Sequence, residues 1–424
     1  MAGAGVLLLL IVRPSVLRGD FRWIDIAVIL YLVLMALQAV PVSPALRLAL
    51  SPATRLVDLR LRLDAPIDPL ADSPHPVSVY GDKTLESLWL GISVVAVYWC
   101  GRSLFARGGI RTGARTIAGL GLALAAIGIA QHATAPRTLY WIEQYTRTEP
   151  FGPFINRSDF AMWLIMALPL TAGYLLARLH SRQRRSGELA DAFDDTALFL
   201  TIAMGFMAAG LMVGLSRSGI IGAIAGGVAL WMFSERRMHH RSRLWLLGGA
   251  AALAIIAVAF ANTSAVSRRI NESLNTSSSG RMAIWRATMP IIRDFWLTGA
   301  GAGAYERTMM VYQPAPHETY FNHAHDEYLQ LLAEGGVALA VPGAVALIAG
   351  MILIRRRLAA DRSPIYWVRA GAASGMIAAA VQSVWETGLR RPGNTLLFAI
   401  LAAIAMHAAT RRPDVSVETT SEDR

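Results

Sequence analysis

The chain has 424 residues, of which 54% are hydrophobic and 16% charged, and it carries a formal net charge of +11. That balance excludes an ordinary soluble globular domain and a disordered polyelectrolyte, and it predicts an all-α, polytopic integral membrane protein. The single cysteine, Cys100, lies inside an apolar run, so no intrachain disulfide supports a loop.

Apolar runs recur at 3–13, 22–40, 86–104, 113–131, 159–178, 196–214, 218–234, 244–261, 336–354, 366–386 and 393–410. Most approach the ~20 residues that a spanning helix needs. The first is short and lacks both a basic start and a small-x-small cleavage site, so a cleaved signal peptide is not expected. Between the runs, loops crowded with arginine alternate with arginine-poorer ones. Arg13/Arg18/Arg22, Arg102/Arg106/Arg111/Arg115, Arg178/Arg182/Arg184/Arg185, Arg236/Arg237/Arg241/Arg243 and Arg355/Arg356/Arg357/Arg362 mark the cytoplasmic side by the positive-inside rule. Residues 41–85, 132–158, 214–218, 262–335 and 387–392 then face outward. The chain divides into an N-terminal transmembrane bundle (1–261), an outer loop (262–335), C-terminal transmembrane helices (336–410) and a polar, disordered cytoplasmic tail (411–424). Eleven spans put the N-terminus outside; a twelfth crossing or a re-entrant segment near 41–62 would put it inside, and both remain open.

The outer loop has structure of its own. Met282, Trp285, Met289, Ile292 and Trp296 fall at helical spacing, with Arg281, Arg286 and Arg293 between them, which predicts an amphipathic helix lying at the interface or capping the bundle. Thr298–Gly303 ends it as a Gly-rich turn. Asp326 and Glu327 suit the first turn of the next helix, and Gly335-Gly336 breaks that helix before the following span. Gly222 and Gly226 form a helix-packing GxxxG, and Asp194-Asp195 reads as a helix start. His239-His240 belongs to a solvated basic loop.

Residues 321–336 hold the densest group of polar and ionisable side chains: His323, His325, Asp326, Glu327 and Glu334. An unperturbed histidine titrates near ~6.5, which suits a general base at neutral pH, and His325 at a helix start is the sharpest candidate. A metal site from His323, His325, Asp326 and Glu327 is the rival reading, disfavoured because no second ligand cluster accompanies it. Outer-side arginines are the second signal. Arg157 starts a span, Arg217 sits in a short outer turn between two spans, Arg281 starts the loop helix, and Arg390 and Arg391 occupy the last outer turn. Snorkelling at a helix end explains any one of them. Together they would make a cationic pocket suited to a lipid-borne pyrophosphate. Arginine-rich coding bias is the plain alternative, since Lys83 is the only lysine. Nothing suggests a nucleotide site, a redox motif or a nucleic-acid module.

Four segments, in this order, resemble the O-antigen ligase family, within the group that includes O-antigen polymerases and protein O-oligosaccharyltransferases. They are Gly152-Pro-Phe-Ile-Asn156-Arg157; Leu215-Ser-Arg217-Ser-Gly219; Arg281-x-x-x-Trp285 continuing to Gly299-Ala-Gly301; and His325-Asp-Glu-Tyr-Leu329 followed by Glu334-Gly335. Many relatives carry asparagine where this chain has Asp326. The resemblance implies a bacterial inner-membrane glycosyltransferase with a periplasmic active site. It would move polysaccharide from undecaprenyl diphosphate to a sugar hydroxyl of the lipid A core, without metal or cofactor and with inversion. It implies His325 as base and Arg217, Arg281 and Arg157 around the departing diphosphate, with His323, Asp326, Arg390 and Arg391 in support. A polymerase using the same donor is the near alternative, and a transporter of the same lipid the more distant one.

Overall fold

The computed structural model describes residues 2–61, 73–145, 150–186, 194–235, 237, 280–314 and 321–408. It opens with α1 (Ala2–Val12), α2 (Arg22–Ala39) and two short helices, α3 (Pro44–Leu50) and α4 (Ala53–Arg60). Then follow α5 (Gly81–Ala106), α6 (Ile110–Thr134), α7 (Arg157–Ser186), α8 (Asp195–Val213) and α9 (Arg217–Ser234). A helix over 280–294, α10, leads to α11 (Tyr305–Tyr312), α12 (Glu327–Ala360), α13 (Ile365–Gln382) and α14 (Pro392–Ala405). Among the described residues, α5 to α9 and α12 are long and apolar enough to cross a membrane, so the chain is an all-α, multi-pass membrane protein. The expected span at 244–261, His239-His240 and the tail at 411–424 lie outside the described residues.

Ionic ties mark the ends of several helices. Buried Asp25 of α2 holds Arg102 of α5 at 2.7 Å; Arg178 of α7 binds Asp194 at the start of α8; Arg369 of α13 binds Asp361 at 2.7 Å; Arg357 of α12 reaches Asp20 at 2.9 Å. These contacts define an arginine-rich end. Asp194 is the N-cap of α8, accepting from the Ala197 N–H, as an acid at a helix start should. The core centres on α7, whose Met162, Leu164, Ile165, Met166 and Leu170 are fully buried. Gly173 and Gly371 let α7 and α13 meet backbone to backbone, and Gly222 and Gly226 of α9 pack against Ala378.

The segment after α2 makes an excursion. Pro41–Val42 pair antiparallel with His75–Pro76, so its two ends meet at one face and it adds no net crossing between α2 and α5. The twelfth-crossing alternative therefore falls, and the first helix is left as the odd element. α1 lies along α5, with Gly5 against Ser93, and is too short to span.

A second, smaller core builds a cap at the opposite end from the arginines. Val57, Val79, Ala287, Ile291, Phe295, Ala300, Tyr305, Met309, Ala324 and Ala333 form it. The inward face of α10 carries Ile284, Ala287, Thr288 and Ile291, whereas Met282, Met289 and the following Trp296 are about half exposed. The inward side fills the cap, and the outward side mixes Met282 and Met289 with the exposed Arg286 and Arg293. The predicted break at Gly335-Gly336 is a kink inside α12, where Gly336 adopts φ +53°. The kink frees the Val337 and Ala338 N–H groups, which donate to the carbonyls of Trp296 and Leu297 at 2.8 and 2.9 Å. In return, the Ala300 and Gly301 N–H groups donate to the Ala333 and Glu334 carbonyls. Gln38 of α2 closes the knot, donating to the carbonyls of Thr298 and Glu334 and accepting from the Ala302 N–H.

Candidate active site

His325 stands where the cap meets the bundle, and its backbone is clamped on both sides. The Ala324 N–H donates to Gln330 Oε1 at 3.0 Å, while Trp285 Nε1–H donates to the Ala324 carbonyl at 3.1 Å. On the other side, Asp326 caps α12: its Oδ1 accepts from the Tyr328 and Leu329 N–H groups, each at 2.9 Å. Next to it, the Glu327 N–H donates to the Ser383 carbonyl at the end of α13. His325 itself sits at φ +50°, a left-handed conformation that a non-glycine residue holds only when its surroundings enforce it. The Asp326 carboxyl is pushed up by burial, while its two backbone donors pull it down. Because aspartate and asparagine cap helices equally well, an asparagine in relatives at this position is compatible with the same geometry.

The imidazole faces a carboxylate. His325 Nδ1 lies 3.4 Å from Glu386 Oε2, and the other oxygen of Glu386 accepts from Arg281 Nη2 at 2.7 Å. Glu386 is 5% exposed, and His325 and Arg281 about one-third exposed, so the carboxylate is the buried bridge of a three-residue chain. Glu386 is the residue that sequence reasoning missed. It is an acid at the end of the apolar run 366–386, and an ionisable group at such a position was the available signal.

The remaining predicted residues gather at the same end. The Ser216 hydroxyl donates to the Ser158 hydroxyl at 3.2 Å, which sets the starts of α7 and α9, carrying Arg157 and Arg217, side by side. Gln382 donates to the Ser158 carbonyl, joining them to the end of α13, four residues before Glu386. Arg391 Nε donates to Asp159 Oδ2 at 2.7 Å, and Asp159 lies within electrostatic reach of both His325 and Glu386. The starts of α7, α9, α12 and α14 thus converge, and each presents the positive end of its dipole.

Two predicted residues are otherwise engaged. Arg390 is held by Glu334 at 2.6 Å and by Glu327 at 3.1 Å, which offset its charge. These three groups head a cavity of about 400 Å³ between α2, α5 and α12, walled below by Tyr31, Met35, Leu90 and Leu339. His323 lies near Gln330, and burial, reinforced by Arg391 and Arg390, holds its imidazole down to about 4, so it is neutral at physiological pH.

Comparison with curated proteins returned no match. A family model described as O-antigen ligase matches residues 202–343, which hold Arg217, Arg281 and His325. Arg157, Glu386, Arg390 and Arg391 lie beyond that stretch. Residues 202–343 are thus similar to the O-antigen ligase family.

Proposed function

We propose that this chain is a periplasmic-facing O-antigen ligase, and that His325, oriented by Glu386, is its general base. The His325–Glu386–Arg281 chain carries the reading. With Nδ1–H directed at the carboxylate, Nε2 presents its lone pair to the site, the tautomer a base needs. A sugar hydroxyl of the lipid A core attacks the anomeric carbon of the polysaccharide. The new C–O bond forms as the bond to the diphosphate oxygen breaks, the hydroxyl proton passes to His325 Nε2, and undecaprenyl diphosphate leaves with the electron pair. A single displacement of this kind inverts the anomeric centre.

Arg281, Arg217 and Arg157 stabilise the departing diphosphate, aided by the converging helix starts. Arg390 is less suited to that role because its two glutamates already offset its charge. The cavity below Arg390 offers apolar walls to a lipid-borne substrate.

The test uses the purified chain in detergent with chelator, undecaprenyl-diphosphate-linked polysaccharide and lipid A core. Transfer is expected, and His325→Ala is expected to abolish it while the protein stays folded. Full activity in His325→Ala removes the proposed base. In a cell lacking the gene, unmodified core beside polymerised carrier-linked chains supports a ligase; single carrier-linked repeats favour a polymerase.

A further inference from the structure

Asp159 is buried in the first turn of α7, and its Oδ2 accepts from Arg391 Nε at 2.7 Å. We infer that Asp159 is a positioning residue, which holds Arg391 so that the two terminal guanidinium nitrogens are free to grip the donor's diphosphate. The inference rests on the reading that a diphosphate leaves at this site. It concerns how that group is held, not how the acceptor is activated.

The pair is built into a fixed junction. The side-chain amide of Asn394, fully buried in the first turn of α14, donates to the Asp159 carbonyl at 3.0 Å and to the Gly388 carbonyl at 2.9 Å. One amide thereby fastens the start of α7 to the turn Gly388–Arg390, which leads into Arg391. The turn comes this close only because residue 388 has no side chain. A Cβ there would lie 2.8 Å from Met162 Sδ and 3.3 Å from Asp159 Oδ1. The Arg391 N–H donates back to the Gly388 carbonyl at 3.2 Å. Backbone contacts therefore fix both ends of the ion pair independently of the side chains.

What remains of Arg391 is chemically specific. Among the described residues Asp159 is the only hydrogen-bond or ion-pair partner of its side chain, and it takes only Nε. Nη1 and Nη2, on a side chain 46% exposed, stay available as a fork for phosphate oxygens. Arg281 is arranged in the same way: the buried carboxylate of Glu386 takes one nitrogen, and the side chain is one-third exposed. Arg390 differs, because Glu334 and Glu327 both engage it. The two singly tethered arginines share one electrostatic field. Arg391 acts on His323, and Asp159 lies within reach of His325 and of Glu386, the anchor of Arg281. A diphosphate offers one phosphoryl group to each fork.

An untethered arginine spreads its charge over many rotamers, whereas a carboxylate at Nε fixes the guanidinium plane. A carboxylate beside a diphosphate also repels it. Its presence is accounted for as an anchor and not as a charge.

The experiment measures inorganic pyrophosphate binding to the purified full chain by isothermal titration calorimetry, with transfer kinetics in parallel. Asp159→Ala is expected to weaken pyrophosphate about fivefold or more, although it removes a negative charge. Asp159→Asn, which keeps an acceptor for Nε, is expected to stay within about twofold of wild type. In an Arg391→Gln background, Asp159→Ala should add nothing. In transfer, Asp159→Ala should raise the donor KM and leave the acceptor KM and the pH profile unchanged, a split that general loosening of the fold does not give. Should Asp159→Ala unfold, Arg391→Lys, which keeps the charge but lacks the fork, is expected to lose about fivefold. No pyrophosphate binding by wild type, unchanged or tighter binding in Asp159→Ala or Arg391→Lys, or an equal loss in both backgrounds overturns the proposal. A chain that binds pyrophosphate in the expected pattern yet transfers nothing refutes the ligase reading and leaves the tether standing.

Discussion

Replacing Glu386 by glutamine is the most searching test of the proposed base. The amide preserves shape and keeps an oxygen for Arg281, so the perturbation is confined to one negative charge opposite His325. When His325 takes the acceptor's proton, imidazolium forms 3.4 Å from that charge. Two unit charges at this separation interact by ~5 kcal/mol at an effective dielectric of about 20. Arg281, 2.7 Å from the same carboxylate, already offsets part of this, and the imidazole is 35% exposed. A hydrogen bond to a charged group contributes ~1.5–3 kcal/mol net, and the long separation places this one near the lower bound. About 1.5 kcal/mol corresponds to roughly a tenfold loss of kcat, with donor KM little changed. The assay follows transfer of labelled polysaccharide in detergent for wild type, Glu386→Gln, His325→Ala and the double variant. If the two residues act as a unit, Glu386→Gln adds nothing in the His325→Ala background. A rate within twofold of wild type, or an equal loss in both backgrounds, refutes the reasoning.

Four further outcomes are expected. Gly336→Ala forces a side chain into φ +53° and within 2.6 Å of the Leu297 carbonyl, so thermal unfolding should show a loss of ~2 kcal/mol or more. Gly227→Ala, with open space around it in α9, should be neutral or stabilising in the same measurement. Arg390→Gln strands Glu334 and Glu327 without their cation and should cost ~3–5 kcal/mol, more than Arg391→Gln, whose side chain is half exposed. His323, held down to about 4, resists protonation in the fold but accepts it when unfolded. Its share of stability is complete above ~6.5 and is lost as pH falls from there toward 4. His323→Asn should therefore flatten that part of the Tm-against-pH curve.

The helices were legible because bilayer solvation makes hydropathy dominate, and bounds such as 22–40 and 393–410 differ from α2 and α14 by only a few residues. The gathering of Arg157, Arg217, Arg281 and His325 was legible for a related reason: alternating spans send their starts to one side. The pairings were not. Glu386 reaches a histidine 61 positions earlier and an arginine 105 positions earlier, and no local pattern encodes such a distance. Gln38, which reads as an ordinary polar residue ending a span, binds the 298–302 turn and α12. On α10, hydrophobic spacing could not separate the inward face from the outward one, because Met289 and Ile291 are equally apolar and only tertiary packing distinguishes them.

The clamp around His325 also sets an order in time. Its supports come from Trp285 before it and from Gln330, Ser383 and Glu386 after it, the last two beyond the end of α13. A chain threaded into the membrane from its N-terminus holds the arginine-bearing starts of α7 and α9 well before the histidine gains its carboxylate. On the proposed roles, the nascent protein holds its anion-binding arginines long before its base is oriented, so incomplete insertion would leave a binder without a catalyst.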